Sequence, residues 1–168
     1  MSPRALAAVA VLAAASVLSA CSVSSEEDPV TLTLDAAKSE VLVATDDLLA
    51  LVPEEVVTER FPRTETSRVL FACDDPDTYY WPGGAQLGID PSTDAAALFD
   101  TIHEAWAERD GWEITWKERG ESGVYHLDLY RSDGLHLAVM NLESNTVLDI
   151  SGFSPCFVLE DYDPNRAY

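Results

Sequence analysis

Apolar residues recur every three or four positions in two segments of this chain. The first stripe begins at Leu34 and stops before Pro53, and the second follows the run from Asp90 to Asp94 and stops at Gly111. This spacing places the apolar side chains on one face of an α-helix. The run before the second stripe supplies an Asp or Ser cap and an early proline. We therefore predict two amphipathic helices.

After Gly111 the period of the apolar pattern changes to two. Four segments alternate apolar and polar residues, around Ile114, Leu127, Leu137 and Leu148, and glycine, serine, aspartate or asparagine separates them. Alternation with period two puts the apolar side chains on one face of a strand. We predict an antiparallel meander of four strands that is buried on one face.

The segment between the helices predicts two short strands, Arg68 to Cys73 and Ala85 to Ile89, while residues 56–66 read as irregular. The predicted fold class is α+β, with two amphipathic helices packed on one face of an antiparallel sheet. One domain is expected over residues 31–160, followed by a C-terminal tail over 161–168.

The N-terminus carries a targeting signal. Arg4 precedes an almost charge-free stretch that ends in Leu18-Ser19-Ala20-Cys21. This tetrapeptide resembles the lipobox of bacterial lipoproteins, and the alanine-rich, lysine-poor chain is similar to small lipoproteins of actinobacterial cell envelopes. An ordinary signal peptide with a nearby cysteine is the alternative.

The resemblance implies a lipoprotein signal peptide over residues 1–20 and a diacylglyceryl group on Cys21. Residues 21–30 then form the lipidated cysteine and a flexible polar tether. The implied location is the extracytoplasmic face of the cell membrane, with the lipid as the membrane anchor. The resemblance transfers no functional residue beyond Cys21.

The chain is strongly acidic. It has 30 aspartates and glutamates against 10 lysines and arginines, a formal net charge of -20. Nucleic-acid binding needs a basic surface, so we exclude it. The expected partners are the membrane, through the lipid, and an envelope protein or a small-molecule ligand.

Two cysteines remain once Cys21 is assigned to lipid. An even number in an oxidising compartment favours a disulfide between Cys73 and Cys156, with two free thiols as the alternative. Such a bridge would join the first predicted strand to the residues after the last one.

The segment from Asp74 to Gly84 is the candidate binding surface. Consecutive side chains of an extended segment point to opposite faces, so its three adjacent large aromatics cannot all enter one core. Aromatic residues beside acids are typical of sugar-, peptide- or amine-binding edges. The three aspartates are also weak calcium candidates, although the same segment could equally cap the core. The candidate residues are Asp74, Asp75, Asp77, Tyr79, Tyr80 and Trp81.

No catalytic motif is present, and no cofactor is expected. His126 and His136 could face each other across a hairpin, near Asp128, and bind a metal or titrate near neutral pH. We predict a non-catalytic binding or accessory protein of the cell envelope. The alternatives are an envelope hydrolase that uses carboxylates or this histidine pair, and a carrier of a lipophilic ligand.

Overall fold

The computed structural model describes residues 32–119 and 123–168. The predicted signal peptide, Cys21, the tether and most of the turn after the first meander strand lie outside the described residues. Thr31–Tyr168 forms one compact unit. Within the described residues, no helix is long and apolar enough to cross a membrane.

Two α-helices form where the apolar stripes predict them. Helix α1 spans Leu34–Leu49 and helix α2 spans Ala95–Ala107. Each begins at a side-chain cap: the Thr33 Oγ1 accepts a hydrogen bond from a main-chain N–H of the first turn of α1, at 3.3 Å, and the Asp94 Oδ1 does the same for α2, at 3.1 Å. Capping satisfies N–H groups that have no partner inside the helix.

In the part of the chain that the structure describes, nine strands accompany the helices, in two antiparallel sheets. The six-stranded sheet has the order β1-β4-β8-β7-β6-β5 and the three-stranded sheet has the order β2-β3-β9. The strands are β1 Val57–Arg60, β2 Phe71–Ala72, β3 Thr78–Tyr80, β4 Pro82–Ile89, β5 Trp112–Arg119, β6 Tyr125–Arg131, β7 His136–Leu142, β8 Val147–Phe153 and β9 Phe157–Val158.

The α+β class and the antiparallel sheet are therefore confirmed. The four predicted strands after Gly111 are β5 to β8, paired in sequence order. Three strands were not predicted: β1 lies in the segment expected to be irregular, and β3 and β9 build the small sheet. The predicted strand from Arg68 to Cys73 is reduced to the two residues of β2. Short strands carry little periodic signal, so their pairing depends on distant partners.

One core unites the helices and the large sheet. Phe99 of α2 stacks on Trp116 of β5, with ring centroids 6.3 Å apart. Gly152 of β8 approaches α1 so closely that an added Cβ would lie 2.6 Å from Val41 Cγ1, so only glycine fits there. The largest fully buried side chains are Trp81, Trp106, Phe99, Phe157, Leu48, Ile89, Ile102, Leu127, Leu129, Leu135, Leu137 and Leu148.

The last residue belongs to this core. Tyr168 is 4% exposed, and its main chain exchanges two hydrogen bonds with Ser67, at 2.6 and 2.7 Å. Its carbonyl oxygen also accepts a hydrogen bond from the indole N–H of Trp81. Within residues 161–168, predicted as a tail, Tyr168 and the half-buried Tyr162 pack against the core, while residues 163–167 are exposed.

The predicted disulfide is present. Cys73 follows β2 and Cys156 precedes β9, and the bond joins them across a sequence separation of 83 residues. Strands β2 and β9 are the two outer strands of the small sheet, with β3 between them. The bond therefore ties both edges of that sheet together.

Candidate functional site

A row of aromatic rings crosses the face of the large sheet opposite the core. Tyr130 of β6 lies directly opposite His136 of β7, and His136 lies directly opposite Phe153 of β8. Alternation along β6 sends Leu129 into the core and Tyr130 to the other face. Directly paired residues on one face have side chains close enough to pack.

The small sheet extends this row. The ring of Phe153 packs edge-on against Tyr80 of β3, and Tyr80 stacks on Phe71 of β2. Successive ring centroids from Phe71 to Tyr130 are 5.1, 5.8, 5.5 and 4.3 Å apart. We call these five side chains the aromatic ridge: Phe71, Tyr80, Phe153, His136 and Tyr130.

The ends of the aromatic ridge are open to solvent. Phe71 is 42% exposed and Tyr130 is 43% exposed. One face of the Phe71 ring stacks on Tyr80 at an interplanar angle of 13°, and one face of the Tyr130 ring stacks on His136 at 9°. The other face of each ring is turned away from its stack. Single exposed apolar side chains are common on protein surfaces, whereas the rings of the aromatic ridge are contiguous.

A groove of about 280 Å³ opens in the middle of the aromatic ridge. The disulfide borders it, through Cys156, and the turn after β6 closes one side. The lining residues are Tyr80, Gly134, His136, Phe153, Ser154 and Cys156. The groove is therefore walled mainly by rings of the aromatic ridge.

A buried carboxylate holds His136 in place. Asp128 is only 5% exposed, and its Oδ1 lies 2.8 Å from His136 Nε2, a hydrogen bond that the carboxylate accepts. His126 Nε2 lies 3.4 Å from the same oxygen, and Lys117 Nζ lies 3.8 Å from Oδ2. A buried charge is tolerated when it is paired and hydrogen-bonded. Asp128 thus fixes the orientation of the imidazole between Tyr130 and Phe153.

Two carboxylates lie near the hydroxyl group of Tyr130. Burial raises the pKa of the Tyr130 hydroxyl above its usual value, and the carboxylates of Asp128 and Glu113 raise it further. Glu113 of β5 lies directly opposite Tyr130 in the sheet. Negative charge beside a phenol disfavours the phenolate, so both carboxylates raise the pKa of Tyr130.

The two histidines singled out in the sequence both lie beside Asp128, His136 at 2.8 Å and His126 at 3.4 Å from its Oδ1. Among residues 32–119 and 123–168, no group of three His, Cys, Asp or Glu side chains is arranged to hold a metal ion. Neither histidine hydrogen-bonds a hydroxyl or thiol of any described residue. The nearby Ser154 Oγ donates to the Pro155 carbonyl instead.

The candidate surface from Asp74 to Gly84 is divided by the fold. Trp81 is fully buried, so its side chain cannot contact a partner. Tyr79 packs on Tyr162 beside the core, and Tyr80 alone joins the aromatic ridge. The three aspartates, Asp74, Asp75 and Asp77, are exposed in the loop between β2 and β3.

Sequence reasoning did not single out Phe71, Phe153 or Tyr130. A signal was present, since Tyr130 and Phe153 continue faces of β6 and β8 that are otherwise polar, with Asp128 two residues before Tyr130 and Ser151 two residues before Phe153. Their adjacency depends on the register of three strands and could not be read from any one of them.

Comparison with known proteins gives no further assignment. No family model matches this chain, and no curated protein or solved structure matches it significantly.

Proposed function

We propose that this protein is a lipid-anchored, extracytoplasmic binding protein of the cell envelope, without catalytic activity, and that the aromatic ridge is its contact surface for a protein partner. The observation that carries the proposal is five contiguous rings, three on the face of the large sheet opposite the core and two on the small sheet, with both end residues more than 40% exposed. Aromatic side chains are enriched at the centres of protein interfaces, where they supply much of the binding energy.

The size of the groove favours a protein partner over a small-molecule ligand. Its volume of about 280 Å³ is below the range of roughly 300 to 1,000 Å³ that is usual for small-molecule sites. A groove of this size fits one or two anchoring side chains of a partner. A lipophilic ligand would need space inside the fold, where Trp81, Trp106 and Phe99 are packed.

The chemistry of the histidine cluster supports binding rather than hydrolysis. Nucleophilic catalysis needs a base within hydrogen-bond reach of a hydroxyl or thiol. His136 Nε2 is bonded to Asp128 and the imidazole ring is stacked between two other rings. This arrangement supports a role for His136 in shaping the contact surface.

The anchor is tested by labelling cells with an alkyne analogue of palmitate. We expect the wild-type protein to incorporate the label, and Cys21→Ser to lose it completely, because the thiol is the acceptor of the diacylglyceryl group. Ser22→Ala is the matched control and should keep the label. Incorporation into Cys21→Ser at the wild-type level would show that the lipid, if any, is attached elsewhere.

The contact surface is tested by photo-crosslinking in the source cells. Benzoylphenylalanine replaces Tyr130 or Phe71 on the aromatic ridge. In the control it replaces Val43, which lies on α1 and is 58% exposed. We expect both positions on the aromatic ridge to crosslink to one and the same protein, and Val43 to crosslink at least about tenfold less.

Two results would contradict this assignment. Crosslinks of equal yield at all three positions would indicate random collisions. Crosslinks at Val43 alone would place the contact surface on the helices instead of the aromatic ridge.

A further inference from the structure

The rings of the aromatic ridge differ from the tryptophan rings of the protein, because no lysine or arginine of the described residues lies over them. Each tryptophan ring lies beside a cation of the chain itself: Lys38 at Trp81, Arg109 at Trp106, Arg119 at Trp116 and Arg131 at Trp112, at 4.1 to 5.9 Å. Among the described residues, no lysine or arginine lies over the rings of Phe71, Tyr80, Phe153 or Tyr130. The outer ring faces of Phe71 and Tyr130 are therefore open to a cation from another molecule.

A carboxylate accompanies the open ring of Tyr130. Glu113 lies directly opposite Tyr130 in the sheet, and it forms no ion pair with any other described residue. At the other end, Asp74 and Asp75 are exposed in the turn that follows β2, three and four residues after Phe71, and they add negative charge to that end of the surface without contacting the ring. They also form no ion pair within the described part of the chain. An open aromatic face beside an unpaired carboxylate is the environment that a cation prefers.

We propose that the partner presents a basic segment to the aromatic ridge, and that its arginine side chains stack on the outer face of Tyr130, beside Glu113, and on the outer face of Phe71. This inference rests on the proposed function of the aromatic ridge and adds the chemistry of the partner. The net charge of -20 would draw such a segment in from a distance, since the summed field speeds association of opposite charges.

Arginine fits this surface better than lysine. Its guanidinium is planar, stacks on an aromatic face and can at the same time hydrogen-bond a carboxylate through two N–H groups. A lysine ammonium is a strongly hydrated point charge that gains less from an exposed ring. The protein's own cation–aromatic pairs follow the same preference, with arginine at three of the four tryptophans.

The test uses three synthetic peptides and the full chain, purified in a neutral detergent and immobilised. The peptides are acetyl-GRGRGRG-amide, the same peptide with lysine and the same peptide with glutamate. We expect the arginine peptide to bind roughly three- to tenfold more tightly than the lysine peptide, and the glutamate peptide not to bind. Equal affinity of the arginine and lysine peptides would contradict the proposed stacking.

Variants test whether the arginine peptide binds at the aromatic ridge. Tyr130→Ala, Phe71→Ala and Glu113→Gln should each weaken binding of the arginine peptide roughly three- to tenfold. Glu104→Gln, which removes one exposed acid from α2, is the matched control and should change the affinity less than about twofold. Thermal unfolding of each variant verifies that it is folded.

The possible failures can be told apart. If Glu104→Gln weakens binding as much as Glu113→Gln does, the peptide follows the net charge alone and the inference is wrong. A second outcome is that none of the variants weakens binding of the arginine peptide, while positions 130 and 71 still crosslink to one protein in cells. The aromatic ridge is then the contact surface, and only the proposed basic chemistry of the partner is wrong. Absence of crosslinks at the aromatic ridge removes the proposed function itself.

Discussion

Trp81→Ala should lower the free energy of unfolding by about 3 to 5 kcal/mol, the range for removal of a large buried aromatic. Trp81 lies between strands β3 and β4 and is fully buried. Its indole N–H donates to the Tyr168 carbonyl at 3.3 Å, so the substitution also releases the C-terminal residue from the core. Domains of this size are stable by only about 5 to 15 kcal/mol, so the loss would be severe.

The measurement is urea-induced unfolding of the purified chain, followed by fluorescence and circular dichroism. Tyr80→Ala is the control, because Tyr80 is the adjacent residue and lies on the aromatic ridge. It loses two ring contacts and should cost about 1 to 2 kcal/mol. If Trp81→Ala were as stable as the wild type, its burial would be wrong and Trp81 would return to the list of surface candidates.

Removal of the disulfide should destabilise the fold by about 4 to 5 kcal/mol on the chain-entropy model. The bond closes a loop with a separation of 83 residues, which restricts the unfolded chain strongly. The appropriate variant combines Cys73→Ser with Cys156→Ser, so that no free thiol remains. Because the bond ties the outer strands of the small sheet, we expect the Phe71 end of the aromatic ridge to loosen first.

The same urea titration measures this loss, and crosslinking reports its location. Benzoylphenylalanine at position 71 should lose most of its partner crosslink in the double-serine variant, while position 130, on the large sheet, should retain more. Cys21→Ser is the control for cysteine removal and should leave the unfolding midpoint unchanged. An unchanged midpoint in the double-serine variant would mean that packing alone holds the small sheet.

The elements with strong local periodicity were predictable from the sequence. The stripes of α1 and α2 and the alternation in β5 to β8 repeat several times, so each identifies its own buried face. The disulfide was predictable because two cysteines remained after Cys21 was assigned, and both flank strands. The targeting signal is likewise a property of the sequence alone, and it remains a prediction.

The short strands and the surface could not be predicted in this way. Strands β1, β3 and β9 have two to four residues each, too few for a period to show, and they exist because distant strands offer hydrogen-bond partners. Burial within the run Tyr79-Tyr80-Trp81 was undecided for the same reason, since alternation predicts that the faces differ but not which face meets the core.

The sequence by itself determined the fold class, the two helices, the meander and the disulfide, because each depends on residues close together in the chain or on a simple count. Only the tertiary structure decided that Phe71, Tyr80, Phe153, His136 and Tyr130 form one surface. Their rings come from five strands in two sheets, and their contacts are set by strand register and by the meeting of the sheets. Strand register and the packing of two sheets depend on residues far apart in the chain, so no local pattern of side chains predicts them.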